Sequence, residues 1–311
     1  MRTATALFAL GLMGFGLSAC DAVFNAPSPA SRDTALTDAY EPSEASLGLM
    51  QYYQRVEDNL TSLDLLRVDG GGLDTPFNKR QLVQNFVQIA VYNEISLVNG
   101  RYQNVRSEGR VQRWVDPVRI SMEFGASVPA QTRQQDTRFV SAFARRLSRV
   151  SGHPISQTRS GGNFHVAVLD TDEIAAFGPR LKELIPIQDD NLIRQIIDMS
   201  PPTYCAVYTF WDRDKPNVFN TAIAIIRAEH PDRLRKLCFH EEIAQGLGLI
   251  NDSPAARPSI FNDDNEFALL TSHDELLLKM LYDPRLPLGG TPAETRPVIE
   301  VLAAEQLGGG N

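Results

Sequence analysis

The chain has 311 residues, 43% of them apolar and 22% charged, with a formal net charge of −8. That apolar fraction supports a full hydrophobic core and excludes an intrinsically disordered chain. The acidic balance argues against a phosphate-backbone binder, so nucleic acid is not an expected partner, and it offers no attraction to an anionic bilayer.

Residues 1–19 read as an export leader. Arg2 supplies the positive start, and Ala4 to Leu17 form an apolar run too short for a comfortable membrane span. Leu17-Ser18-Ala19-Cys20 places small residues before a cysteine, the pattern cut by a lipoprotein signal peptidase, so Cys20 is the expected lipid attachment site. Acyl chains at ~0.8 kcal/mol per buried CH₂ would hold the chain on a membrane permanently. An ordinary secretory leader with an incidental cysteine is the alternative. The lipid-anchored reading places the protein in the bacterial cell envelope, with its domain in the periplasm. Residues 20–43, small, polar and carrying Pro27, Pro29 and Pro42, form a flexible tether.

Residues 44–104 are expected to be an N-terminal helical segment. One amphipathic helix spans Ser46 to Leu66 and is broken by Gly70-Gly71-Gly72. The next opens at Thr75-Pro76 and carries Leu82, Phe86, Ile89 and Tyr92 at helical spacing. A second region, 105–288, alternates strands and helices. Val111 to Phe124 alternates Val118, Ile120 and Met122 against Arg119, Ser121 and Glu123, a strand pattern. Thr137 to Val150 is an amphipathic helix with an outward arginine face, and Phe164 to Leu169 a short buried strand. Leu181 to Met199 is helical with a break near Pro186, and Cys205–Phe210 and Thr221–Ile226 read as an antiparallel pair. From Pro287 on, Pro, Gly and Ala dominate, and residues 289–311 are expected to be a mobile tail.

Three cysteines are present. With Cys20 given to lipid, Cys205 and Cys238 remain as an even pair in an oxidising compartment. Bridging them closes a loop of roughly 34 residues and stabilises by ~3–4 kcal/mol in the chain-entropy model. Two buried free thiols are the alternative.

The chemistry concentrates in Cys238 to Asp252, C-F-H-E-E-I-A-Q-G-L-G-L-I-N-D. His240-Glu241 looks like the start of H-E-x-x-H, but the residue four places on is Ala244, which ligates nothing. Gln245, five places on, lies roughly 140° around the helix from His240. Shifting the frame by one puts Glu241 and Gln245 at i and i+4, with Glu242 between them and Gly248 and Asn251 beyond. In that register the segment resembles the metzincin zinc peptidases, H-E-x-x-H-x-x-G-x-x-H, with every histidine replaced. Ser259-Ile260-Phe261 then falls at the methionine turn, Ile260 standing for methionine, and the stretch from Leu270 to Tyr282 is similar to the closing helix of the matrixin group. The stretch from about Cys205 to Leu286 also resembles an uncharacterised bacterial lipoprotein family carrying a domain of unknown function.

The resemblance implies an α+β, zincin-like fold: a twisted, mostly parallel sheet over an active-site-type helix that starts near His230-Pro231-Asp232, preceded by the N-terminal helices. In those enzymes the sheet's edge strand binds substrate, which places Thr221–Ile226 near that edge. It also implies a peptide or another envelope polymer in the cleft. Glu242 takes the catalytic-base place, and Glu241, Gln245, Asn251 and Asp252 take or adjoin the metal places. Three functions follow. One is an active zinc peptidase using Glu242, for which one carboxylate and two amides are a poor donor set. The second is a protein holding a hard cation such as calcium on those oxygens. The third, which the donor set favours, is a degenerate domain that needs no cofactor and serves as a binding or structural module. The remaining histidines, His153, His165 and His230, stand isolated. A displaced zinc pair of His240 with His273 requires the closing helix to cross beside Phe239.

Overall fold

The computed structural model describes residues 40–98, 101–186, 189–262 and 264–308. The expected leader, Cys20 and the expected tether as far as residue 39 lie outside the described residues. No helix among the described residues is long and apolar enough to cross a membrane.

Helix α1 (Glu44–Ser62) starts where the Ser43 hydroxyl accepts from the Ser46 N–H at 3.1 Å. It stops before the glycine run, because Asp64 and Leu66 take left-handed backbone at φ 58° and 57°. Helix α2 (Lys79–Val91) starts later than Thr75-Pro76, since Asn78 and Gln81 form a reciprocal capping box. Strands β1 (Tyr92–Val98) and β2 (Arg101–Glu108) then pair antiparallel, which corrects the helical segment expected to reach residue 104. In the sequence of β1, Ile95 and Leu97 alternate with the polar residues Glu94 and Ser96, a strand signal. That signal competes with the helical spacing that ends at Tyr92.

The main body follows as β3 (Arg113–Trp114), β4 (Val118–Phe124), α3 (Ala130–Ser151), β5 (Ile155–Thr158), β6 (Phe164–Leu169), α4 (Thr171–Ala176), α5 (Gly178–Leu184) and α6 (Asp190–Ile197). It continues with β7 (Cys205–Trp211), β8 (Val218–Arg227), α7 (Asp232–Gln245), α8 (Ser272–Leu281) and α9 (Pro292–Gln306). This is a mixed α+β architecture with a mostly parallel sheet. Across the sheet the strands run β5, β4, β6, β8, β7, with β3 beside the first residues of β8. The contacts of β4 with β5 and β6, and of β6 with β8, are parallel; β7 runs antiparallel to β8. The sheet's edge strands are therefore β7 on this side and β5 on the other, and Thr221–Ile226 sits one strand in from β7.

Helices cover both faces. Phe164, Val166, Val168, Ala222, Ala224 and Ile226 point into the core built with α2, α3, α7, α8 and α9. Ala167, Leu169, Ile223 and Ile225 point the other way, onto α4, α5 and α6. Burial on both faces explains why β6 and β8 are near-continuous apolar runs rather than alternating ones.

The expected mobile tail at 289–311 is also corrected. Thr291 and Glu294 form a capping box, Pro292 occupies the first turn, and Ile299, Leu302 and Ala303 are fully buried at helical spacing. From Tyr40 onward the chain forms one compact unit with α2 packed on α8 and α9, so neither residue 105 nor residue 289 divides it. Leu302→Ala should lower stability by ~2–4 kcal/mol, read as an earlier urea midpoint. An unchanged midpoint would mean that residues 289–311 add nothing to the fold.

Candidate functional site

Helix α7 carries the glutamates, and almost every side of it is buried: Leu234, Leu237, Cys238, Phe239, His240, Glu242, Ile243 and Ala244 all lie inside. A helix buried all round must satisfy its polar groups locally. Glu57 of α1 accepts from the Leu234 N–H at 2.9 Å, near the positive helix start. Arg235 pairs with buried Asp136 at 3.0 Å. At the other end the Trp114 indole donates to the Gly246 carbonyl at 2.8 Å, and the Tyr282 hydroxyl to the Leu247 carbonyl at 2.9 Å. The turn that follows needs glycine. Gly248 has φ +122°, and a Cβ there would stand 2.3 Å from the Gln112 carbonyl oxygen.

The disulfide joins Cys205, first residue of β7, to Cys238 in the middle of α7, with S–S at 2.01 Å. It fixes the edge strand against the glutamate helix. Beside it lies a cavity of about 310 Å³ lined by Tyr204, Cys205, Leu237, Glu241, Glu242 and Ile260, among others. The Cys205 sulfur and one carboxylate oxygen each of Glu241 and Glu242 lie within 4.8 Å of one another. Glu242 is 4% exposed and its Oε2 has no hydrogen-bond partner. Burial pushes its carboxyl up to about 8, with the negative charge of Asp252 adding to the rise.

The other expected positions separate. The Asn251 amide nitrogen donates to the carbonyls of Ile89 at 3.2 Å and of Tyr92, tying the returning loop to the end of α2. Gln245 donates to Asp252 Oδ1 at 3.3 Å. Ile260 lines the cavity, and its N–H donates to buried Asp274 at 3.1 Å. His240 points to the opposite side, stacked on Phe143 at 3.7 Å, where its Nδ1 accepts from the Leu270 N–H at 2.8 Å. His273 lies 3.1 Å from the Asn85 amide through Nε2 and does not group with His240. Among the described residues, the cluster of metal-type donors at this helix contains no imidazole, and its one sulfur is spent on the disulfide. Two carboxylates alone do not fit a catalytic zinc, and they fall short of the six or more oxygens calcium takes.

The cavity walls Thr203, Tyr204 and Phe267 carried no signal in the sequence, since they come from segments far apart in the chain. A mostly parallel sheet with one antiparallel edge, clamped by a disulfide to a buried helix bearing paired glutamates, defines an α+β domain with an acidic cleft at its sheet edge. A family model described as "Protein of unknown function (DUF2927)" matches residues 79–301, and the chain belongs to that family. No curated protein and no solved structure matches the chain.

Glu242 also sets a pH dependence. Its ordinary value is 4.5, so between about 4.5 and 8 the folded protein holds a proton that the unfolded chain has released. Stability from this group is therefore greatest at low pH and declines as pH rises through that window. The difference is on the order of 3–5 kcal/mol at ~1.4 kcal/mol per pKa unit. Glu242→Gln, which keeps the shape and cannot ionise, should lose less stability than wild type between pH 5 and pH 8 in urea melts. Parallel losses would place an ionised carboxylate at residue 242.

Proposed function

We propose that this chain is a lipid-anchored lipoprotein of the bacterial envelope, whose domain is a metzincin-like scaffold used for binding rather than hydrolysis. Edge strand β7 carries the reading. It has a strand neighbour on one side only among the described residues, and the disulfide seats it against the glutamate helix. An extended peptide adds to such an edge through its backbone, dropping alternate side chains into the cleft below. The order strand, helix, strand, paired strands and glutamate helix supports the scaffold, as it is the order the resemblance implies. Leu17-Ser18-Ala19-Cys20 supports the anchor.

Two features argue against hydrolysis. The donors around Glu241 do not assemble a zinc site, because Asn251 binds α2 and Cys205 is oxidised. A carboxyl held neutral near pH 7 is also in the wrong state to take a proton from water.

Cys20→Ser should abolish acylation and release the protein from the membrane fraction; unchanged fractionation would defeat the anchor. An unfolded, quenched-fluorescent protein substrate should stay uncut in the presence of zinc, calcium or chelator. Cleavage that is lost in Glu242→Gln would restore the peptidase.

A further inference from the structure

The cavity under the start of β7 has a shape and chemistry that the strand-addition reading leaves unspecified. Its two carboxyl groups belong to adjacent residues of one helix, and Glu242 Oε2 is buried with no hydrogen-bond partner. Leu237, Ile260 and Phe267 supply the smaller, apolar part of a mostly polar lining. They are 5%, 7% and 1% exposed, which makes the wall part of the packed core rather than a loose rim. The volume, about 310 Å³, equals that of roughly ten waters at ~30 Å³ each. A bare cation would leave most of it open. A lysine-type side chain takes up roughly half of it, at ~30 Å³ for each methylene or ammonium group, and leaves the rest to water, with the charged head at the carboxyls.

No basic side chain of the chain lines this cavity among the described residues. Arg67 sits over the Phe267 ring at 4.7 Å, but its charge is matched by Asp69, Asp74 and Glu266 at 2.9, 2.7 and 3.1 Å. The disulfide places Cys205 at the cavity wall, so the first residues of the edge strand and the mouth of the cavity coincide.

We propose that this cavity is a recognition pocket for a lysine-type side chain, presented by an extended peptide lying along β7. The ammonium supplies three donors to carboxyl oxygens and displaces to solvent the proton that Glu242 carries in the empty pocket, so that its buried Oε2, the acceptor that lacks a partner, binds as carboxylate. The inference rests on β7 receiving a strand, and the test separates the two claims.

The intact chain in detergent would be titrated calorimetrically with a capped five-residue peptide bearing a central lysine. The controls carry norleucine, which keeps the stem and removes the charge, or glutamate. A fourth probe, pentylamine, reads the pocket without any strand. The expected result is that lysine binds at least tenfold tighter than norleucine, with glutamate weakest. Glu242→Gln and Glu241→Gln should each remove most of that margin while leaving the norleucine peptide unchanged. Circular dichroism establishes that both variants fold.

Equal binding of the lysine and norleucine peptides overturns the pocket and leaves strand addition standing. Saturable pentylamine binding lost in Glu242→Gln, with no peptide binding, keeps the pocket and removes the strand. Stoichiometric calcium lost in Glu242→Gln, with no preference for lysine, overturns the inference in favour of an ion site. No binding of any probe overturns both claims.

Discussion

Burying α7 on nearly all sides is the constraint from which the rest of the domain follows. A helix inside a protein brings its own polar groups with it, and each needs a partner within the fold. The end of the helix is fixed by the Trp114 and Tyr282 bonds to the carbonyls of Gly246 and Leu247. The glycines there let neighbouring elements approach: a Cβ at Gly246 would stand 2.5 Å from the Phe164 ring. The Cys205–Cys238 bridge then locks the sheet edge to the helix. Glu241 and Glu242 are consequently held at one cleft by backbone and covalent structure.

Polar contacts hold together the elements below this helix. Asp274 gathers the Ser259 hydroxyl at 2.5 Å, the Ile260 N–H at 3.1 Å and the Thr271 N–H at 2.9 Å, joining the loop after α7 to the start of α8. Asn251 does the same between the returning loop and α2. Losing one partner of a buried bond of this kind leaves a polar group unsatisfied at ~1–3 kcal/mol. Such a network leaves Glu242 as the one carboxyl of the cleft still short of a hydrogen-bond partner on one oxygen.

The local parts of the fold were legible in the sequence. The i, i+4 frame turned His240 away from the cleft, and counting cysteines paired Cys205 with Cys238. The alternation in β4 and the apolar face of α3 carried through as well, although α3 starts at Ala130, well before the apolar set begins. Its early turn faces inward through Asp136, a buried carboxylate that reads as surface until its partner Arg235 is known. What stayed hidden depends on partners distant in the chain. Helix α9 is rich in residues typical of tails, and only packing on α2 and α8 gives its apolar face a reason to order. Asn251 looked like a ligand because its spacing from Glu241 is right; its amide is taken by α2, more than 150 residues earlier.

The central claim is that this domain is held together by its own polar and covalent contacts, with no metal at the glutamate helix. Elemental analysis of the purified protein, paired with thermal unfolding before and after exhaustive chelation, tests it directly. A fold of this kind should contain no stoichiometric zinc or calcium and should unfold at the same temperature with or without chelator. A stoichiometric metal whose removal lowers the midpoint by several degrees, and whose return restores it, would contradict the claim, since a ligand bound only to the folded state must stabilise it.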